Sequence, residues 1–197
     1  SWIKNRDAAD EHILQDRVRG VYEYLESSTD DVEATDTNSV QRFLQQGVQI
    51  GNMDAVNTSA ESFVLWQWAA NGTGTLNEEG DINSMVSANT AAGFSIATYT
   101  GNGSASQSFG HGLTQAPECV IIKYLNASQS WNVGHGGLTS WDYYLRLEDT
   151  HAESDSDDRF GSAPSATVVN IGDGSNVNYS AGKYVAYCWH PVEGYSK

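Results

Sequence analysis

The chain contains two copies of one strand pattern, and this internal repeat constrains its fold more than any other feature. Residues 2–4 (WIK) match residues 121–123 (IIK), and residues 22–25 (YEYL) match residues 142–145 (DYYL). Two further pairs follow in the same order, 48–52 with 169–173 and 55–68 with 176–189. We therefore predict two internal repeats, at approximately residues 1–70 and 120–190.

The repeated segments predict an all-β fold. Strand-length runs of apolar and β-branched residues recur along the chain and are bounded by Gly, Asn, Asp and Ser. Residues 6–18 could be written as a helix, but their copy carries Gly and Asn, so a loop and a strand are expected there. Residues 71–119 are predicted to supply linker strands, and within them residues 93–118 indicate two short strands around a turn. Each copy alone is small for a core, so we expect one antiparallel β-sandwich of the jelly-roll type over residues 1–197.

The last strand of each copy is apolar on both faces. Residues 62–68 (SFVLWQW) and 183–189 (KYVAYCW) place large side chains at odd and even positions alike. This pattern is typical of a strand in the middle of a sheet, covered on both sides. We predict a central strand in both copies.

The charge of the chain excludes two classes of partner. The formal net charge is −15, so a phosphate backbone or an anionic membrane surface would be repelled. No apolar run approaches the roughly 20 residues of a membrane span. We expect neither nucleic acid nor a membrane as a partner.

The acidic stretch at 153–157 is the best catalytic candidate in the sequence. Glu153, Asp155 and Asp157 alternate, and in an extended strand they would project from one face, as paired glycosidase carboxylates must. Apolar neighbours that would raise the pKa of an acid are missing, so a solvated loop is the alternative and the favoured interpretation. We assign no catalytic residue.

Metal and thiol chemistry have weak support. Calcium takes oxygen ligands, and the loops hold several aspartates, but the D-x-D-x-D-G run of an EF-hand is absent. Calcium therefore stays open, and no other cofactor is expected. Cys119 and Cys188 are too few for a disulfide-rich scaffold, and the sequence leaves open whether they are bridged.

One strand face in each copy has the composition of a sugar-binding surface. His12 and Asp16 alternate around an apolar residue, and Trp131 and His135 occupy equivalent places in the second copy. Aromatic rings can stack on a pyranose while polar side chains bond its hydroxyls. The candidate ligand-binding residues are His12, Asp16, Arg19, Lys4, Lys123, Trp131, His135 and Trp141. The alternative is that Trp131 is a core tryptophan and His135 a half-buried histidine.

Several motifs of the chain resemble the repeat units of marine-phage virion proteins. The residues that carry the resemblance are WIKNRD, FVLWQWAANG, VSANTAAGFSIATYTGNG, FGHGL and VAYCWHPVEGYSK, and the likeness covers nearly the whole chain. These units occur in tandem in tail-fibre or appendage proteins and are similar to concanavalin A-like lectin/glucanase sandwiches. The resemblance implies a β-sandwich at the virion surface or outside the cell, with neighbouring repeat units of a longer chain as partners. It supplies no catalytic residue.

Three functions follow from these observations. The first is a non-catalytic module that binds a polysaccharide or a cell-surface glycan, with repeated weak sites acting through avidity. The second is a structural spacer of a virion fibre, in which the faces that carry His12 and Trp131 are covered. The third is a glycan-degrading hydrolase or lyase that uses the acidic stretch, and we regard an enzyme as the weaker alternative.

Overall fold

The computed structural model describes residues 1–194, in which strands dominate and two one-turn helices interrupt them. The first half contains β1 (Trp2–Asn5), β2 (Ile13–Gln15), β3 (Glu23–Glu26), β4 (Ala34–Thr35), β5 (Val40–Leu44), β6 (Gly47–Ile50), α1 (Asp54–Asn57) and β7 (Phe63–Trp66). The second half contains β8 (Thr75–Asn77), β9 (Ser84–Asn89), β10 (Phe94–Thr100), β11 (Gln107–Gly110), β12 (Cys119–Tyr124), β13 (Asn132–His135), β14 (Tyr143–Arg146), β15 (Ser154–Asp155), β16 (Val168–Ile171), α2 (Ser175–Asn178) and β17 (Lys183–Trp189). Residues 195–197, the end of the last motif of the family resemblance, lie outside this description.

Two antiparallel sheets form the body of the protein, which confirms the predicted all-β sandwich. The first sheet has the order β4-β3-β2-β1-β7, and the second has the order β15-β14-β13-β12-β17-β10-β9-β8. The first five strands of the second sheet thus follow the same connectivity as the whole first sheet. This match is consistent with the predicted duplication, which stays a prediction.

The two sheets pack face to face through apolar side chains. Leu14 and Leu25 of the first sheet are buried against apolar side chains of the second. The buried residues contributed by the second sheet are Phe94, Ile96, Ile121, Trp131, Val185 and Tyr187. This layer is the shared core of the sandwich, and removing its apolar surface from water is the main term that holds the sheets together.

Each sheet has its outer face covered by a pair of antiparallel strands and a one-turn helix. Over the first sheet, Val40 of β5 and Val56 of α1 are buried against Ile3 and Ile13. Over the second sheet, the same positions are filled from β11, β16 and α2, and Phe109, Val169 and Val177 are all fully or almost fully buried. The second outer layer is the larger one, because the stacked rings of Tyr99, Phe109 and Tyr184 lie within it.

The second outer layer takes its paired strand from a different part of the chain. In the first half β6 pairs with its neighbour β5, whereas β16 in the second half pairs with β11, far away in sequence. Gly161 and Pro164 precede β16, and a proline has no N–H to donate to a ladder. The linker strand β11 occupies the place beside β16.

Most of the strand predictions agree with the structure, but the predicted position of β7 in its sheet does not. Residues 6–18 form a loop followed by β2, as expected, but the one-turn helices α1 and α2 were not predicted. β17 is a central strand between β12 and β10, which confirms the prediction. The prediction for β7 is wrong, because β7 is an edge strand and its Leu65 and Trp66 are 42% and 47% exposed. Among residues 1–194, no strand lies beside β7 in the place that β10 takes beside β17.

Candidate functional site

Trp131 and Lys123, two of the predicted ligand-binding residues, are buried between the sheets. The Trp131 Nε1 donates hydrogen bonds to the backbone carbonyls of Glu26 and Thr29, at 3.2 and 3.0 Å. The Lys123 Nζ donates to three carbonyls, including that of Asp30 at 3.1 Å, and lies 6.0 Å from the Trp131 ring centroid. Burial lowers the pKa of Lys123 to about 8. Both side chains attach the second sheet to the β3–β4 loop of the first.

Asp16 and Arg19 form a buried ion pair that also lies between the two sheets. The Arg19 Nε lies 2.6 Å from Asp16 Oδ2, and each side chain is only 2% exposed. The Tyr187 hydroxyl donates to Asp16 at 2.8 Å, and Arg19 also reaches Glu33 at 2.8 Å. Burial alone would raise the pKa of Asp16, but the guanidinium, the Arg19 amide and the Tyr187 hydroxyl outweigh it and hold the pKa below its usual value. The group connects the two sheets.

The remaining four predicted residues lie apart from these two clusters. Lys4 donates to the carbonyls of Asn5 and Ala8, and His12 is half-buried nearby. Burial and the positive charge of Lys4 lower the pKa of His12. His135 is exposed at the end of β13, and Trp141 packs edge-on against Phe160 at 5.9 Å. The eight predicted residues therefore do not converge on one site.

The acidic stretch at 153–157 is a solvated segment. Glu153 accepts hydrogen bonds from the Thr139 hydroxyl at 2.6 Å and the Thr139 amide at 3.0 Å. These two bonds hold the pKa of Glu153 below its ordinary value. Asp155 and Asp157 are exposed. A general acid needs the opposite shift from the one at Glu153.

The strongest candidate site is a cleft that the sequence did not reveal, and we name it the aromatic groove. It is defined by the rings of Trp2, Trp68, Phe94 and Trp189, and its volume is about 560 Å³. Trp68 lies at its centre, because its ring centroid is 6.2 Å from those of Trp2 and Phe94 and 5.8 Å from that of Trp189. The Phe94 and Trp189 rings are 5.1 Å apart.

Both sheets are needed to build the aromatic groove. Trp2 comes from β1 and Trp68 follows β7 in the first sheet, whereas Phe94 and Trp189 lie on the paired strands β10 and β17 of the second. The predicted repeat aligns Trp68 with Trp189, but an alignment does not indicate that the two residues meet. Only the packing of the sheets brings equivalent ends of β7 and β17 together.

The aromatic groove also carries polar groups that suit a hydroxylated ligand. Amide side chains line it together with the rings, at Gln45, Gln46 and Gln67. Within residues 1–194, the indole Nε1 of Trp2 and the hydroxyl of Ser1 are buried without a hydrogen-bond partner. Buried polar groups normally have partners, and four further side-chain atoms elsewhere in the described chain share this state: Ser95 Oγ, Asn132 Oδ1, Arg159 Nε and His190 Nε2. Trp68 is 37% exposed, which leaves the central ring accessible.

Metal and thiol groups offer no second candidate site. In the part of the chain that the structure describes, no three His, Cys, Asp or Glu side chains are arranged to hold a metal ion. Cys119 and Cys188 are free thiols, and burial raises the pKa of Cys119 to about 11 and that of Cys188 further. Thiols of raised pKa are poor nucleophiles at neutral pH.

Over residues 1–194, no helix is long and apolar enough to cross a membrane.

The fold and the groove define a class of protein: an antiparallel β-sandwich with a ligand-sized aromatic cleft between its sheets. Over residues 1–197 the chain matches a family described as "domain of unknown function (DUF7483)" and belongs to it. Comparison with curated proteins and with solved structures gives no match.

Proposed function

We propose that this chain is a non-catalytic carbohydrate-binding module and that a glycan binds in the aromatic groove. One observation carries the proposal: the rings of Trp2, Trp68, Phe94 and Trp189 converge from both sheets on one cleft that glutamines also line. The apolar faces of a sugar ring pack on aromatic rings, and amides bond its hydroxyls. The likeness to phage appendage units supports a polysaccharide or host-surface glycan as the ligand. In a fibre, many such weak sites would act together.

The test is a glycan array of marine algal and bacterial polysaccharides, followed by calorimetry on the glycans that bind. Trp68→Ala is expected to weaken binding at least tenfold, because Trp68 contacts the other three rings. Tyr179→Ala is the matched control, since Tyr179 is an aromatic residue at 57% exposure that does not line the groove. Its binding is expected to equal that of the wild type. Equal losses in both variants would contradict the assignment of the groove.

The same samples decide between binding and cleavage. Reducing ends are measured before and after incubation, and no release is expected. Release that Glu153→Gln abolishes would overturn the proposal and make the acidic stretch an active site. Parallel runs with calcium and with a chelator establish whether the metal takes part.

A structural spacer is the second candidate function, and the burial of Trp131 and Lys123 favours it. Both residues attach the sheets to each other, as a spacer requires. Absence of binding across a broad array, from a protein whose circular dichroism and unfolding are normal, would support the spacer over the glycan-binding module.

A further inference from the structure

The ring of Trp66 extends the aromatic groove outward along the edge of the first sheet. Trp66 lies directly opposite Trp2 in the pairing of β7 with β1, and directly paired residues of an antiparallel sheet share a face. The two rings meet edge-on at 6.2 Å, and the Trp2 ring is also 6.2 Å from that of Trp68. Trp66 itself does not line the groove. Trp2 therefore connects a ring inside the groove with a ring outside it.

The Trp66 side chain is accessible, whereas its equivalent in the second sheet is part of the core. Trp66 is 47% exposed, more than Trp68 at 37%. The equivalent residue, Tyr187, is 3% exposed, and its hydroxyl donates a hydrogen bond to Asp16 at 2.8 Å. The same position thus serves packing in one sheet and presents a large flat ring to solvent in the other. Tryptophans that pack on a ligand contribute more to binding than most other side chains.

The residue between the two exposed tryptophans is an amide. Gln67 separates Trp66 from Trp68, is exposed, and lines the groove. The four residues of β7, Phe-Val-Leu-Trp, carry no charge. Sugar residues present apolar ring faces and hydroxyl groups, which match the aromatic rings and the amide respectively. The composition of the groove therefore continues past its mouth to Trp66.

We propose that the ligand of the aromatic groove is a chain of several sugar residues and that Trp66 is a further binding residue for it, an inference that rests on the proposed function. One sugar packs on Trp68 inside the groove. The chain continues past Trp2, so that a further sugar packs on Trp66. A single terminal sugar would occupy the groove and leave Trp66 in solvent, so the length of the bound glycan distinguishes the two.

The experiment measures affinity as a function of glycan length. Oligosaccharides of increasing length, prepared from a polysaccharide that binds on the array, are titrated into the intact chain by calorimetry. Wild-type affinity is expected to rise about tenfold once the oligosaccharide is long enough to reach Trp66. Trp66→Thr is expected to abolish this rise and to leave the affinity for the shortest bound oligosaccharide unchanged. Trp68→Ala is expected to lower the affinity at every length.

Two control variants separate the ring of Trp66 from general effects of substitution. Trp66→Phe keeps an aromatic ring and is expected to keep most of the rise in affinity with length. Tyr179→Thr removes an exposed aromatic side chain that does not line the groove, and it is expected to keep all of the rise. A rise that survives in Trp66→Thr, or an equal loss at every length in that variant, would overturn the role of Trp66.

Oxidative footprinting of the wild type gives a readout that does not depend on whether a variant folds. Exposed indoles oxidise faster than covered ones, and mass spectrometry of peptides locates the oxidised residues. A long oligosaccharide is expected to slow the oxidation of both Trp66 and Trp68, and the shortest one that of Trp68 alone. Unchanged oxidation of Trp66 under a saturating long oligosaccharide would contradict the proposal.

Two further outcomes separate this proposal from the proposed function itself. Binding that depends on Trp68 but not on glycan length would leave the carbohydrate-binding module in place and overturn the extended ligand. Absence of binding by glycans of every length would overturn both.

Discussion

β7 and β17 have closely related sequences and different surroundings. Both follow a one-turn helix, at Asp54–Asn57 and Ser175–Asn178, and β7 pairs with β1 as β17 pairs with β12. β17 has a second neighbour, β10, and its four residues from Tyr184 are buried, whereas β7 is half exposed. The difference teaches that an apolar alternation determines that a strand forms but not how many neighbours it finds. The linker strand β10 is a second neighbour of β17, and it does not pair with β7.

The largest difference in stability is expected between Phe63 of β7 and Tyr184 of β17, which occupy the same place in the alignment of the two strands. Tyr184 stacks on Tyr99 and Tyr124, and its hydroxyl bonds Ser175 and Tyr179 at 2.7 Å, whereas Phe63 is half-buried. Tyr184→Ala is expected to lower the free energy of unfolding by about 4 kcal/mol, and Phe63→Ala by about 1 to 2 kcal/mol. Urea unfolding followed by circular dichroism measures both. Similar losses of stability would mean that β7 is covered as completely as β17.

A smaller effect on the free energy of unfolding is expected from a histidine in the linker of residues 71–119. His111 is buried, and burial lowers its pKa to about 4, although a bond to the Ser165 carbonyl at 3.2 Å opposes the shift. The unfolded histidine binds a proton below about pH 6.5, and the folded one does not until about pH 4. Stability is therefore lost as the pH falls through this window, by about 3 kcal/mol in total from this group.

Unfolding in urea at pH 7, 5.5 and 4.5 measures this loss. His111→Gln is expected to flatten the dependence, while His135→Gln, at an exposed histidine, is expected to leave it intact. A wild-type stability that does not change between pH 7 and 4.5 would contradict the neutral, buried state of His111.

The smallest effect is expected at the exposed end of β7. Trp66 is 47% exposed and contacts Trp2 edge-on at 6.2 Å, whereas its counterpart Tyr187 is buried and bonds Asp16. Trp66→Thr keeps a residue that favours strands and is expected to cost less than about 1 kcal/mol. The same urea titration measures it. A loss above about 2 kcal/mol would show that Trp66 is packed in solution.

The candidate site was harder to predict than the fold. The apolar alternation and the turn residues were enough to predict that the chain is built of strands, because strand formation depends on local patterns. The sequence also singled out Trp131, Lys123, Asp16 and Arg19 as polar and aromatic groups of interest. Their partners come from the other half of the chain, such as the Glu26 carbonyl and the Tyr187 hydroxyl, so spacing along one strand did not reveal that they are buried.

The sequence by itself determined that this protein is built of strands, that its two halves share a pattern, and where most strands begin and end. The tertiary structure alone decided which equivalent strand is central, which face is covered, and that Trp2, Trp68, Phe94 and Trp189 meet in one groove. The physical reason is that side-chain periodicity is a property of a few neighbouring residues. Burial depends instead on contacts between residues far apart in the chain, and here the linker strand β10 makes those contacts with β17 and not with β7.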